Sequence, residues 1–449
     1  MKKILYTILA LVSITACVDE PDRFRLADGL PTVYYVRPIK ASAADSLLTG
    51  AYLGSSICIV GDNLRSVYKL KFNDQEAILN NSYITDHTLL VDVPKKLPGE
   101  VTDKIYFINK AGESVSYDFE TLVPAPTVNE MSCEYAPIGS EAVIYGDYFL
   151  DDAAMAMTVT IGEKKATVKS LTQGTVTFTV PDGIAANDPI YVETINGKTK
   201  APFQWCDTRG MLFDFDGATG LGNHGWHNRP IEEDGTSISG KFMRLGKEDA
   251  VLDEDASWND NNYSFEYWCG SWENPQNITS GEGMALYYLV DFTKFKNMSL
   301  KFELYIPKSN PWMSGAMQVS FAGPDKITIA GASNTIDSEY KIDGFDKVAG
   351  PGALIFNGEG PEGEFGSWGR ALYSPWKSSG SFDTADQWIT VTLPLSTFIY
   401  DREGKITDDV FSSYKDFANF NIFVLGGGVK GKECSPIMKI DNIRAVRND

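Results

Sequence analysis

Histidine is nearly absent from this chain, with three among 449 residues. The sequence also holds no HExxH, GxSxG, P-loop or dinucleotide-binding fingerprint. The usual starting points for zinc hydrolysis, serine nucleophiles and nucleotide chemistry are therefore missing. His224 and His227 flank Trp226 but lack a third ligand, so they read as a surface loop and not as a metal site. No segment keeps a long 3.6-residue apolar period, which argues against a helical architecture. Positive charge is also short: 40 Lys plus Arg stand against 60 Asp plus Glu, a formal net charge of -20. The field of such a chain does not draw it to nucleic acid or to an anionic membrane, and polyanionic glycans are disfavoured partners. Neutral partners stay open.

The apolar run Ile4 to Ile14 follows Lys2-Lys3 and is too short to span a bilayer. It leads into Ile14-Thr-Ala-Cys17, which resembles a bacterial lipoprotein box. The resemblance implies a signal peptide over residues 1–17, cleaved before a lipidated Cys17. Val18-Asp-Glu-Pro-Asp22 resembles the surface-export signal of lipoproteins from some Gram-negative gut anaerobes. The expected location is the outer membrane, lipid-anchored and facing the cell exterior. Residues 18–31, polar and carrying Pro21 and Pro31, read as a tether. With Cys17 set aside, Cys58, Cys133, Cys206, Cys269 and Cys434 remain, an odd set without CxxC spacing. They give neither a disulfide framework nor a zinc site. Cys58 and Cys133 sit in or near apolar runs and read as small core residues. One disulfide within the last domain is compatible with an oxidising compartment, and the sequence does not pick the pair.

Residues 32–205 contain a repeat. Ile59-Val-Gly-Asp-Asn-Leu64 returns as Ile144-Tyr-Gly-Asp-Tyr-Phe149, and Leu90-Val-Asp-Val-Pro94 returns as Thr177-Phe-Thr-Val-Pro181. Ile105-Tyr-Phe-Ile returns as Ile190-Tyr-Val-Glu, and Phe72-Asn-Asp-Gln-Glu-Ala77 as Ile161-Gly-Glu-Lys-Lys-Ala166. Short β-rich runs between turn residues describe a small Greek-key sandwich, twice over. The repeated Gly-Asp reads as a tight turn. The blocks resemble the immunoglobulin-like IPT/TIG domain, in units 32–123 and 124–205. Nothing in them looks chemical, and they read as rigid spacers. Val123-Pro-Ala-Pro126 reads as a stiff joint.

From Cys206 the character changes. Runs such as Ser299-Leu-Lys-Phe-Glu-Leu-Tyr-Ile306, Trp388-Ile-Thr-Val-Thr-Leu393 and Ile437-Met-Lys-Ile-Asp-Asn-Ile-Arg-Ala-Val446 alternate like strands. With long Gly, Ser and Asn loops, residues 206–449 suggest a larger jelly-roll-like β-sandwich, and the whole chain an all-β fold. Eight of nine Trp lie in this last region. They concentrate in Trp258-Asn-Asp-Asn-Asn-Tyr-Ser-Phe-Glu-Tyr-Trp-Cys-Gly-Ser-Trp272, where flat rings stand among short polar side chains. Rings that stack on pyranose C–H faces beside Asn, Asp and Glu that bond hydroxyls suit a sugar. The expected platform is Tyr267, Trp268 and Trp272, with Glu273 and Asn274 on the hydroxyls, and Trp312, Trp368 and Trp376 as second choices. Strand parity turns Tyr263, Phe265 and Tyr267 inward and Trp268 outward, which counts against Tyr267. Trp388, on an alternating strand, is expected in the core.

The lipobox, tandem TIG-like units and Trp-rich final sandwich together resemble the surface glycan-binding protein B family. That resemblance implies a non-catalytic lipoprotein that captures a neutral polysaccharide, with xyloglucan or a related β-glucan or β-mannan favoured. It further implies a SusD-like receptor and a TonB-dependent transporter as partners. The alternatives are a surface glycoside hydrolase and a protein-binding adhesin. The hydrolase needs two paired carboxylates, and no motif among Asp214, Asp216, Glu266, Glu273 and Glu303 supplies them. The adhesin would place its aromatics in residues 32–205, where only one Trp, Trp205, occurs. No catalytic residue and no cofactor is expected, apart from a structural calcium that Phe213-Asp-Phe-Asp-Gly can supply with oxygens.

Overall fold

The computed structural model describes residues 29–43, 45–225, 227–270, 277–324, 340–341, 348–349, 369–401, 403–408 and 410–448. Cys17 and the tether up to residue 28 lie outside them. The chain divides into two compact units, residues 1–126 and 127–449.

In the first unit, one sheet has the order Thr32–Pro38, Ser56–Asp62, Thr88–Asp92. A second has the order Gln75–Glu76, Val67–Phe72, Lys104–Asn109, Ser114–Asp118. The strand Lys104–Asn109 alternates inward Ile105 and Phe107 with half-buried Tyr106 and Ile108, which is the period of a sheet with one face on a core. Residues 127–205 repeat this plan. Thr127–Met131, Glu141–Asp147, Thr175–Thr179 and Thr167–Leu171 form one sheet, and Lys164–Lys165, Thr158–Ile161, Asp188–Thr194 and Gly197–Trp205 the other.

The repeated Gly-Asp is not a turn, as expected from the sequence, but a strand position. Gly61 lies opposite a register shift between Val33 and Tyr35, and Gly146 opposite the equivalent shift between Val128 and Glu130. A Cβ at Gly61 would sit 2.0 Å from the Thr32 carbonyl oxygen, and one at Gly146 would sit 1.9 Å from that of Thr127. Close backbone approach at a bulge is what demands glycine here.

The larger sandwich faces a six-stranded sheet against a four-stranded one. The first runs Ile231–Glu232, Phe242–Leu245, Met438–Arg447, Met298–Tyr305, Ile389–Pro394, with Met211–Phe213 also paired to Met438–Arg447. The second runs Ser264–Tyr267, Asn419–Leu425, Ala316–Ala322, Arg370–Tyr373. Every ladder in both is antiparallel. The core between them is rich in Phe, Leu, Ile and Met, including Phe213, Phe265, Phe302, Phe321 and Phe420. Among the described residues the α-helix is a single turn, Asp260–Tyr263. Cys58, Cys133, Cys206, Cys269 and Cys434 are all free thiols, so the disulfide allowed for in the last domain does not form.

The second Ig-like sandwich is joined to the larger one through a buried charge cluster. Arg444 Nη1 donates to Glu303 Oε2 at 2.7 Å, and Nη2 donates to Glu134 Oε2 at 2.7 Å. Lys301 pairs with the other Glu134 oxygen. Burial works against the Arg444 charge, and Glu303 and Glu134 more than offset it, holding its pKa well above the usual value. Burial pushes the Glu303 carboxyl up, and Arg444 opposes that shift. Trp388, expected in the larger core, is half-buried at this junction. It packs on the Ig-like core, and its Nε1 donates to the Thr236 carbonyl at 2.6 Å.

Asp441, on the closing strand, is fully buried, and burial pushes its pKa up to about 8. Ser239 Oγ and Asn442 N donate to it at 2.8 and 2.7 Å and oppose that shift. The native state therefore holds this proton more tightly than the unfolded chain does. The stability it contributes is full below about pH 4, the unfolded value, and is lost as pH rises to about 8. Asp441→Asn, neutral throughout, should melt progressively higher than the wild type across that window. A difference in melting temperature that stays flat with pH would contradict this.

Candidate functional site

The structure separates the predicted aromatics into three groups. Tyr267, Trp312 and Trp376 are buried in the core of the larger sandwich, Tyr267 inward as strand parity indicates, and the placing of all three on an exposed platform is corrected. Tyr267 Oη donates to the Met284 carbonyl at 2.6 Å, Trp312 Nε1 to Ser314 O at 2.7 Å, and Trp376 Nε1 to Gly315 O at 2.7 Å. Each indole or phenol satisfies its polar atom on a loop carbonyl while its ring fills the core, so none can stack on a sugar. Trp272, Glu273, Asn274 and Trp368 lie outside the described residues, as does Trp226. Trp268 stands apart. Its parity is opposite to that of Tyr267, as the alternation predicts, and it lies on the outer face of the four-stranded sheet against Ala322. It is nevertheless buried there and not exposed as expected.

That outer face is polar. The inward residues Phe265, Phe420, Ile422, Val424, Met317, Val319, Phe321 and Ala371 belong to the core. Their alternates point the other way, and the strand register puts them in rows. Glu266 pairs with Asn421, Asn421 with Ser320, and Ser320 with Arg370, giving one row across all four strands. The next row holds Ser264, Phe423, Gln318 and Leu372. From Phe423 to Asn419 the face runs about 14 Å at 3.4 Å per residue, and Glu266, Asn421, Ser320 and Gln318 on it are buried. Glu266 accepts from Trp268 Nε1 at 3.2 Å and lies 3.3 Å from His227 Nδ1. His227 Nε2 reaches Asp260 at 3.4 Å, and His224 Nδ1 meets the Trp268 carbonyl at 2.5 Å. The two histidines thus hold residues 223–225 and 227–228 against Trp268, Glu266 and Asp260. Gly225 permits the approach, since a Cβ there would lie 2.4 Å from Glu266 Cβ.

Aromatic rings flank the row. Trp258 is 53% exposed and stacks on Phe423, with centroids 5.4 Å apart and planes at 29°. Near the other end of strand Asn419–Leu425, Tyr288 and Tyr414 are exposed around Tyr287, at centroid distances of 4.8 Å from Tyr287 to Tyr288 and 5.7 Å from Tyr287 to Tyr414. Sequence reasoning missed Trp258, Asn421 and Gln318 as site residues. The polar alternation of Asn419-Phe-Asn-Ile-Phe423 was the signal that could have found Asn421.

The arrangement offers planar amides, a carboxylate and rings, and no metal-binding set. Among the described residues no three His, Cys, Asp or Glu side chains converge as a metal site. Asp214 accepts from the Ala218 amide at 2.9 Å and Asp216 from that of Lys241 at 2.9 Å, so both serve backbone turns. Glu303, a carboxylate open to a catalytic reading, is locked on Arg444.

A two-sheet antiparallel sandwich that follows Ig-like modules defines a multidomain all-β class of protein. Residues 205–447 match the surface glycan-binding protein B xyloglucan binding domain, and residues 126–204 match the IPT/TIG domain. The chain belongs to the surface glycan-binding protein B family, whose members bind glycans and are not hydrolases. It is 41% identical to the solved surface glycan-binding protein PbSGBP-B of Prevotella bryantii, over 94% of this chain and 100% of that one, with a TM-score of 0.68. The SGBP-B from a complex xyloglucan utilization locus in Bacteroides uniformis is 15% identical over 93% of this chain and 100% of that one, with a TM-score of 0.40. An IPT/TIG domain-containing protein of Bacteroides ovatus is 25% identical over 215 residues, 44% of this chain and 42% of that protein.

Proposed function

We propose that this protein captures a neutral β-glucan of the xyloglucan type at the cell surface, held by lipid on Cys17, for TonB-dependent uptake beside a SusD-like receptor. The observation that carries the reading is the exposed Trp258, stacked on Phe423 beside the buried polar row Glu266–Asn421–Ser320–Arg370. Amide, carboxylate and guanidinium groups match hydroxyls, and rings match C–H faces. The net charge of -20 favours an uncharged ligand. The match of residues 205–447 to a xyloglucan binding domain supports the substrate class.

The test is a titration of the soluble chain against xyloglucan, mixed-linkage β-glucan, β-mannan and a polyanionic glycan, with reducing ends followed over a prolonged incubation. Binding to a neutral β-glycan with no release of reducing ends is expected. Trp258→Ala should weaken binding roughly 5- to 150-fold, on a stacking contribution of about 1–3 kcal/mol taken from the base–aromatic case. Because that ring is half in solvent, its loss should leave the melting temperature nearly unchanged. Undiminished affinity in Trp258→Ala would remove that ring from the site.

A further inference from the structure

Two asparagines lie two residues apart on the outer face of strand Asn419–Leu425, both fully buried, and they are treated very differently. Asn419 is fully engaged. Its Oδ1 accepts from the Cys269 amide at 2.7 Å, and its Nδ2 donates to the carbonyls of Gly323 at 2.8 Å and Ala322 at 3.3 Å. Among the described residues Asn421 has no partner for either Oδ1 or Nδ2. A buried carboxamide with two donors and an acceptor all unpaired is a standing penalty that a folded chain rarely keeps without a reason. Its cross-strand neighbours are Glu266, already engaged by Trp268 and His227, and Ser320.

Resting on the reading of this face as glycan-binding, we infer that Asn421 is the specificity-determining polar residue of the site, its carboxamide kept unpaired for ligand hydroxyls. One amide both donates and accepts, so it reads two neighbouring hydroxyls whose orientations differ between sugars. A ligand lacking one of them would leave half the carboxamide unpaired and be rejected for that reason. Asn421 is fully buried in the free chain, so a ligand engages it only if this face opens.

The inference sets stability and binding in opposition at one residue, and the full chain tests it. Asn421→Leu keeps the volume and removes the unpaired groups, and Asn421→Ala covers the case in which leucine does not fit. At least one should melt at or above the wild type, and each folded variant should bind xyloglucan roughly 10-fold or more weakly, about 1.4 kcal/mol. Asn419→Leu, the engaged control, should melt lower. If both Asn421 variants melt several degrees below wild type, the carboxamide is paired in the free protein, by water, and the inference fails. It fails equally if a folded variant binds as the wild type does. The melting arm needs no ligand, so a wild-type chain that binds no neutral glycan would overturn the functional reading and be distinguishable from either failure.

Discussion

Arg444→Met should cost roughly 3–5 kcal/mol of stability, because it strands two buried carboxylates. Arg444 is fully buried, with two contacts to Glu303 at 2.7 and 3.1 Å and one to Glu134 at 2.7 Å, and its guanidinium lies 5.0 Å from the Tyr135 ring centroid. Two carboxylates balance Arg444 and Lys301, so the cluster is neutral only when complete. Methionine fills much of the space but leaves Glu134 and Glu303 facing each other with Lys301 alone. The Coulomb term between like charges in so dry a place outweighs any gain from a more apolar core. Replacing the four together by apolar residues of similar volume should be near neutral or stabilising, which would show that the loss comes from imbalance. Urea midpoints at constant slope give the measurement. An Arg444→Met chain with an unchanged midpoint would refute the account. A fragment 206–449 loses Glu134 and should unfold earlier in urea than 127–449, so the second Ig-like sandwich is more than a spacer.

Much of the architecture was legible. The repeated blocks place equivalent strands in both Ig-like sandwiches, as Ser56–Asp62 and Glu141–Asp147 illustrate. What the repeat could not tell was why its glycine recurs, since a bulge against Thr32 or Thr127 depends on a partner strand far away in sequence. Parity correctly split Tyr267 from Trp268. The fates of Trp312 and Trp376 were not legible, because Asn310-Pro and Ser374-Pro look like exposed loop while the segments that follow fold inward. Composition around a ring says how the local chain is solvated, and only tertiary packing says which way the ring points. The charge cluster was hidden for the same reason. Glu134 and Arg444 are 310 residues apart, and each alone reads as an ordinary surface charge.

Trp312→Ala should therefore behave as a core deletion. The ring is fully buried, 6.1 Å from the Tyr373 centroid, and its backbone pairs both ways with Phe382 at 2.8 and 2.9 Å. Alanine leaves a cavity that the flanking backbone cannot collapse into, since the Trp312–Phe382 bridge fixes that loop. It also frees the Ser314 carbonyl that Nε1 occupied. The expected cost is about 3–5 kcal/mol. For domains of 150–250 residues each kcal/mol lowers the melting temperature by roughly 2–4 °C. Xyloglucan affinity, measured well below the transition, should stay at the wild-type value, because the ring touches the core and not the outer face of the four-stranded sheet. Trp258→Ala should give the opposite pair of results. A Trp312→Ala chain that melts like wild type yet no longer binds would place this ring in the platform and undo the assignment of the polar face.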